Sequence, residues 1–163
     1  GPEARLVAAG DRDLTLRGHR IARYGKQVIE VTGEVESGGA AVVTAGLAPP
    51  AQVPLGHQRL RGEIVDSKCW FGVMKPGQGK AHKDCAVRCI SGGAPPAFVV
   101  RAAGPRGDER TLILLLVAAD GRSIAARILD LVAEPVEIEG EVSRLGDQLV
   151  LSTDPASIRR IDG

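Results

Sequence analysis

Apolar and polar residues alternate in short runs along most of the chain, with a period of two, which is the signature of half-buried strands. Leu14-Thr-Leu-Arg sets Leu14 and Leu16 on one face. Gln27-Val-Ile-Glu-Val repeats the pattern after a hairpin turn at Tyr24-Gly25-Lys26, and Val35 to Ala45 continues as a further strand after the turn at Gly38-Gly39. Strands are predicted at Leu60 to Val65, Ala97 to Ala102, Thr111 to Ala118, Ser123 to Ile128, Val136 to Val142 and Gln148 to Ser152. Leu129 to Ala133 suits a helical turn, and Ala156 to Ile161 a last short strand or turn. Gly104-Pro-Arg-Gly-Asp and Asp120-Gly121 punctuate the series, and an Asp-Gly pair between two apolar runs is a strong hairpin signal. Residues 46–58 carry three prolines and read as an irregular connection, with His57 as a solvated loop histidine or a distant ligand. The pattern predicts an all-β protein of OB-like small barrels. An N-terminal β segment spans 1–58, itself a possible partial barrel, and a β-barrel domain spans 59–163.

The period changes only within residues 69–96, CWFGVMKPGQGKAHKDCAVRCISGGAPP. Ala81 to Ile90 reads as the one short helix, ended by a left-handed cap at Gly92-Gly93 and stopped by Pro95-Pro96. On that helix His82, Cys85 and Cys89 stand at i, i+3 and i+7, so they share one stripe, while Lys83, Asp84 and Arg88 face solvent. Cys69 falls at the end of the Leu60–Val65 strand. Pro76, Gly77 and Gly79 let the intervening loop fold back and bring Cys69 over the stripe.

Three sulfurs and an imidazole make a Cys3His set for one metal centre. Zinc or copper suits it best, and an iron–sulfur cluster is also chemically feasible. Met74 is available as a weak fifth ligand. Lys68, Lys75, Lys80, Lys83, Arg88 and the helix N-terminus are expected to favour the thiolates. Asp66 or Asp84 could orient His82 from behind, or both could be plain surface carboxylates. Trp70 and Phe71 would either lid the site or fill core. His82 is expected to be the most exchangeable ligand and to face solvent. The alternatives are a disulfide with one buried free thiol, or three inert buried thiols. An odd cysteine count with a coincident histidine favours the metal.

The pattern G-x-I-x-D-x-x-C (Gly62 to Cys69), G-V-M-x-P-G (Gly72 to Gly77) and H-x-x-C-A-x-x-C-I-x-G-G-x-P-P (His82 to Pro96) resembles that of a family of small, largely uncharacterised bacterial exported or membrane-anchored proteins. The resemblance is strong over about residues 60–100 and weak elsewhere. It implies an extracytoplasmic, periplasmic or membrane-anchored, setting. Gly1-Pro2 reads as a protease scar, so a leader or anchor is expected to have been removed.

Composition narrows the function further. A 163-residue chain with 21 Gly, 10 Pro and only four aromatic residues must build an aliphatic core and many turns. A net charge of +1 leaves no electrostatic footprint for nucleic acid. No run reaches the ~20 apolar residues of a membrane span. No phosphate-binding loop or nucleophile elbow is present in the sequence. Leu16-Arg-Gly18 to Val31 also echoes Ile138-Glu-Gly140 to Leu151, each reading strand, glycine, charged turn, strand.

Two functions compete. One is a metal-binding accessory or electron-transfer domain served by a protein redox or metal-delivery partner. The other is a thiol–disulfide redox protein cycling Cys85 and Cys89. Redox enzymes use Cys-x-x-Cys at a helix start more often than Cys-x3-Cys, so the first is preferred, with a structural interaction module third.

Overall fold

The computed structural model describes residues 14–33, 36–37 and 51–162. The chain divides into two compact units, Gly1–Pro49 and Pro50–Gly163.

In the first unit the described strands are β1 (Leu14–Thr15), β2 (Gly18–Arg23), β3 (Lys26–Val31) and β4 (Glu36–Ser37). β2 and β3 form an antiparallel hairpin in register from Arg23↔Lys26 to Gly18↔Val31. Tyr24 and Gly25 both take positive φ (50° and 73°), the backbone that a two-residue hairpin turn needs to match strand twist. The hairpin's first strand therefore lies later than the Leu14–Arg17 run, and Leu14–Thr15 pairs with β4 instead. Apart from Glu36–Ser37, the expected Val35–Ala45 strand lies outside the described residues.

The second unit holds β5 (Gln52–Asp66), β6 (Pro96–Ala103), β7 (Glu109–Ala118), β8 (Pro135–Leu145), β9 (Gln148–Thr153) and β10 (Arg159–Arg160). Its α-helix, α1, spans Lys83–Ser91 and is the only one among the described residues. β5 pairs antiparallel with β6 and β8, and β6 pairs antiparallel with β7. β7 runs parallel to β9, which pairs back onto β8, so hydrogen bonding closes a ring of five strands. β10 extends β8. The described residues are thus mostly β with one short α-helix, as the alternation predicts.

Inward positions follow the period of two. Phe98 and Val100, Leu114 and Leu116, Val136 and Ile138 enter one aliphatic cluster with Ile64 and Leu151. α1 adds Ala86 and Ile90 to the same cluster. Gly62 explains how β5 and β6 come so close. A Cβ there would overlap the Val99 carbonyl and touch the Phe98 ring. Gly62→Ala is expected to lower unfolding free energy by about 1–3 kcal/mol, as overpacking a tight core does. Urea titration monitored at Trp70 checks it, and an unchanged midpoint would contradict the close approach.

Two local expectations are corrected. Residues 46–58 are not an irregular connection throughout, because strand β5 starts at Gln52. Pro54 and Gly56 mark a bulge, where the register against β8 shifts between Pro54 and Gly56. Ser123–Ile128 is not a strand. The Asp120-Gly121 turn forms, with the Ala118 N–H donating to the Arg122 carbonyl at 2.9 Å, but only Ser123 bridges back, to Val117. The chain then makes helical turns at Ala125–Arg127 and Leu129–Leu131, because Ile124 and Ile128, four apart, both point into the core. The second of these is the helical turn read from Leu129–Ala133.

The echoed segments form two antiparallel hairpins, β2–β3 and β8–β9. In each, the leading glycine is pressed onto a partner-strand carbonyl: Gly18 on that of Glu30, Gly140 on that of Ser152.

Candidate metal centre

The centre is built between the end of β5 and α1. β5 ends at Asp66, and a wide helical turn, Cys69–Val73, follows at once. Gly72 interrupts that turn with φ +131°, which turns the chain outward. The loop then returns over Cys69. A Cβ on Gly77 would stand 2.5 Å from the Cys69 carbonyl oxygen and 2.8 Å from the Trp70 Cα. The Gly79 N–H donates to the Glu63 carboxylate at 2.5 Å, tying the loop to β5. A tight turn, Lys80–His82, leads directly into α1. The helix ends as its glycines predict: the Gly93 N–H donates to the Ile90 carbonyl at 3.1 Å and the Ala94 N–H to the Cys89 carbonyl at 2.9 Å. Gly93 takes the positive φ (103°), leaving Gly92 as the ordinary cap residue.

This folding brings Cys69, His82, Cys85 and Cys89 close enough to hold a metal ion. With Asp66 they form two triads that share Cys69. Ligand atoms of Cys69, His82 and Cys85 all lie within 4.8 Å of one another, and so do those of Asp66, Cys69 and Cys89. All three cysteines are free thiols.

Asp66 is the organiser. It is fully buried, and its two oxygens do different work. Oδ1 accepts the Cys69 backbone N–H at 2.7 Å, and Oδ2 lies 3.0 Å from His82 Nε2. Of the two carboxylates that could orient the histidine, Asp66 does so, while Asp84 is exposed at the start of α1. With Nε2 engaged, Nδ1 is the ring nitrogen left for a metal, and the carboxylate fixes the ring for it.

Three expectations change. His82 does not face solvent: it is 3% exposed, whereas Cys85 and Cys89 are half-buried. The nearby cations do not win over the thiols. Burial pushes the Cys69 thiol far up, and the Asp66 carboxylate adds to it by charge and by hydrogen bonding. Burial and then the Asp66 charge raise the Cys89 thiol as well. Trp70 and Phe71 are both buried, packed edge to face at 5.1 Å, and neither belongs to the main aliphatic cluster.

The raised thiols set a pH dependence. Their folded values lie above the ordinary thiol value of 9.0, so the metal-free fold draws stability from them below that value. That contribution disappears as pH rises past 9.0 towards the folded values, because the unfolded chain ionises first. Metal reverses the sign, since a loaded centre holds thiolates and releases protons on binding. Melting curves across this range should fall for metal-free protein and not for loaded protein. A flat metal-free curve would contradict the burial of Cys69.

His57 is no part of this centre, nor is it in a loop. It sits on β5, with Nε2 2.9 Å from Glu139 and Nδ1 3.0 Å from Glu141 on β8. Hydrogen bonds to Glu139 and then Glu141 raise its pKa. Arg59–Glu139 and Arg61–Glu137 continue the ladder beside a shallow groove of about 370 Å³. These pairs satisfy one another across the β5–β8 register.

No helix among the described residues is long and apolar enough to cross a membrane. The chain matches no protein-family model, no curated protein and no solved structure.

Proposed function

We propose that this protein is a metal-binding accessory domain whose centre is held by Cys69, His82, Cys85 and Cys89, and which carries metal or electrons for a protein partner. The carrying observation is the convergence of the two triads on Cys69, with His82 braced by buried Asp66. Four protein ligands leave no open position for a substrate or a catalytic water, so carriage is a better reading than turnover. The five-strand ring, with its parallel β7–β9 pair, supports an OB-like barrel as the scaffold. The resemblance over residues 60–100 supports an extracytoplasmic setting.

The thiol–disulfide reading is weaker on chemistry. A nucleophilic thiol needs a lowered pKa, and burial raises those of Cys69 and Cys89. The test is elemental analysis with an absorption spectrum on protein purified without chelator, followed by thiol titration before and after chelation. One bound metal per chain, with thiols masked until chelation, is the expected result. Metal-free protein with three freely reactive native thiols would reject the reading.

A further inference from the structure

We propose that the centre takes monovalent copper, that Met74 is a thioether donor beside Cys85 that takes the position one of the four ligands gives up, and that the ion enters and leaves through this pair. The inference rests on the metal-centre reading above and adds to it the class of ion and the side of exchange.

Met74 is the only methionine in the chain. A thioether side chain normally fills core gaps, yet Met74 is 49% exposed. Its sulfur instead meets Cys85, whose Sγ donates to Met74 Sδ at 3.7 Å. Backbone geometry puts it there. Gly72 turns the chain outward and Gly77 seats the returning loop on Cys69 and Trp70. Glu63 anchors the loop's far end at Gly79. Met74, extended at φ −141°, ψ 151°, starts that return. A loop tied at both ends thus holds a soft, neutral donor against a thiol at the protein surface.

The chemistry selects the ion. Zinc takes thiolate, imidazole and carboxylate, whereas thiolate combined with thioether selects Cu(I). The donors are also graded by depth. Cys69 and His82 are buried, Cys85 and Cys89 half-buried, and Met74 exposed beside the exposed Val73. An ion leaves such a site by exchanging one donor at a time, and the donors an acceptor reaches first are Met74 and Cys85. No electron moves in this exchange. A thiol proton leaves as each copper–thiolate bond forms and returns as it breaks.

The experiment loads reduced, oxygen-free protein with one equivalent of Cu(I). It then measures affinity and transfer rate against bathocuproine disulfonate, a coloured Cu(I) chelator, and measures Zn(II) affinity in parallel. Met74→Leu keeps size and exposure but removes the sulfur, and circular dichroism confirms its fold. It should bind Cu(I) about 10-fold or more weakly, the scale on which peripheral groups tune metal sites. Zn(II) affinity should be unchanged, and X-ray absorption should show one copper–sulfur contact fewer. Unaltered Cu(I) affinity and transfer rate in Met74→Leu would overturn the proposal, as would displacement of Cu(I) from the wild type by equimolar Zn(II). In both cases the metal-centre reading survives. Wild-type protein that binds neither ion would overturn both readings together.

Discussion

Replacing Cys69 with serine will abolish metal retention, and more completely than the same change at Cys85 or Cys89. Cys69 is the one residue common to both triads. Losing Cys85 leaves Asp66, Cys69 and Cys89 converged, and losing Cys89 leaves Cys69, His82 and Cys85. Losing Cys69 leaves no converged triad. The affinity loss should therefore exceed the ~100-fold that disturbing a supporting residue costs. Serine at a 2%-exposed position carries its own penalty, because an unpaired buried hydroxyl costs about 1–3 kcal/mol. Cys69→Ala separates the two effects: it removes the ligand without burying a hydroxyl. Both variants should purify folded and metal-free. If Cys69→Ala retained wild-type metal content, the shared-ligand arrangement would be wrong.

The approach of His82, Cys85 and Cys89 to one another was readable in the sequence because helical spacing favours it. A helix over 81–90 would set His82, Cys85 and Cys89 on one stripe; in the fold α1 starts at Lys83, His82 ends the tight turn before it, and the glycines and prolines after Ile90 end the helix. Cys69 was legible for a weaker reason, as a cysteine at the end of an alternating strand before a glycine-rich loop. The depth of the ligands was not legible. Spacing puts His82 on the stripe but does not say that the stripe turns its first residue inward to Asp66. The two are 16 positions apart, and only the folded path of the loop joins them. Thiol acidity was misread for the same reason. Counting lysines along the chain weighs charges but not desolvation, and burial is the larger effect at Cys69 and Cys89.

The strands show a similar division. Val136–Val142 alternates cleanly, Thr111–Ala118 is a strand-length apolar run, and both form as read, each extended by a few residues. The start of β5 was hidden because Pro54 and Gly56 look like punctuation. In the fold they make a bulge within a continuing ladder to β8. Ile124 and Ile128 looked like part of an apolar strand, but their spacing of four is helical. Ser123 supports the turn, its hydroxyl accepting the Ala125 N–H at 3.3 Å. Closure of the ring depends on β9 lying parallel to β7, a long-range pairing that no local pattern encodes.

Asp66→Asn will uncouple the metal from its orientation, and Asp66→Ala will also damage the fold. The carboxylate makes two buried contacts, to the Cys69 N–H and to His82 Nε2. Asparagine keeps the size and offers only one oxygen. If that oxygen accepts the Cys69 N–H, the amide group faces Nε2 and favours the imidazole with Nε2 as acceptor and Nδ1 protonated. Nδ1 is the nitrogen that the Asp66 contact leaves for a metal. Metal affinity should fall about 10- to 100-fold, as for other changes behind a ligating histidine, with little loss of folding. Alanine removes both acceptors, leaving the buried Cys69 N–H and His82 unsatisfied at about 1–3 kcal/mol each. Thermal melting of the metal-free variants separates the two: Asp66→Asn should melt near wild type and Asp66→Ala well below it. The histidine side-chain NMR signals of Asp66→Asn should report the tautomer change directly. Equal metal affinity in wild type and Asp66→Asn would mean that Asp66 braces only the backbone at Cys69 and that His82 is positioned by other neighbours.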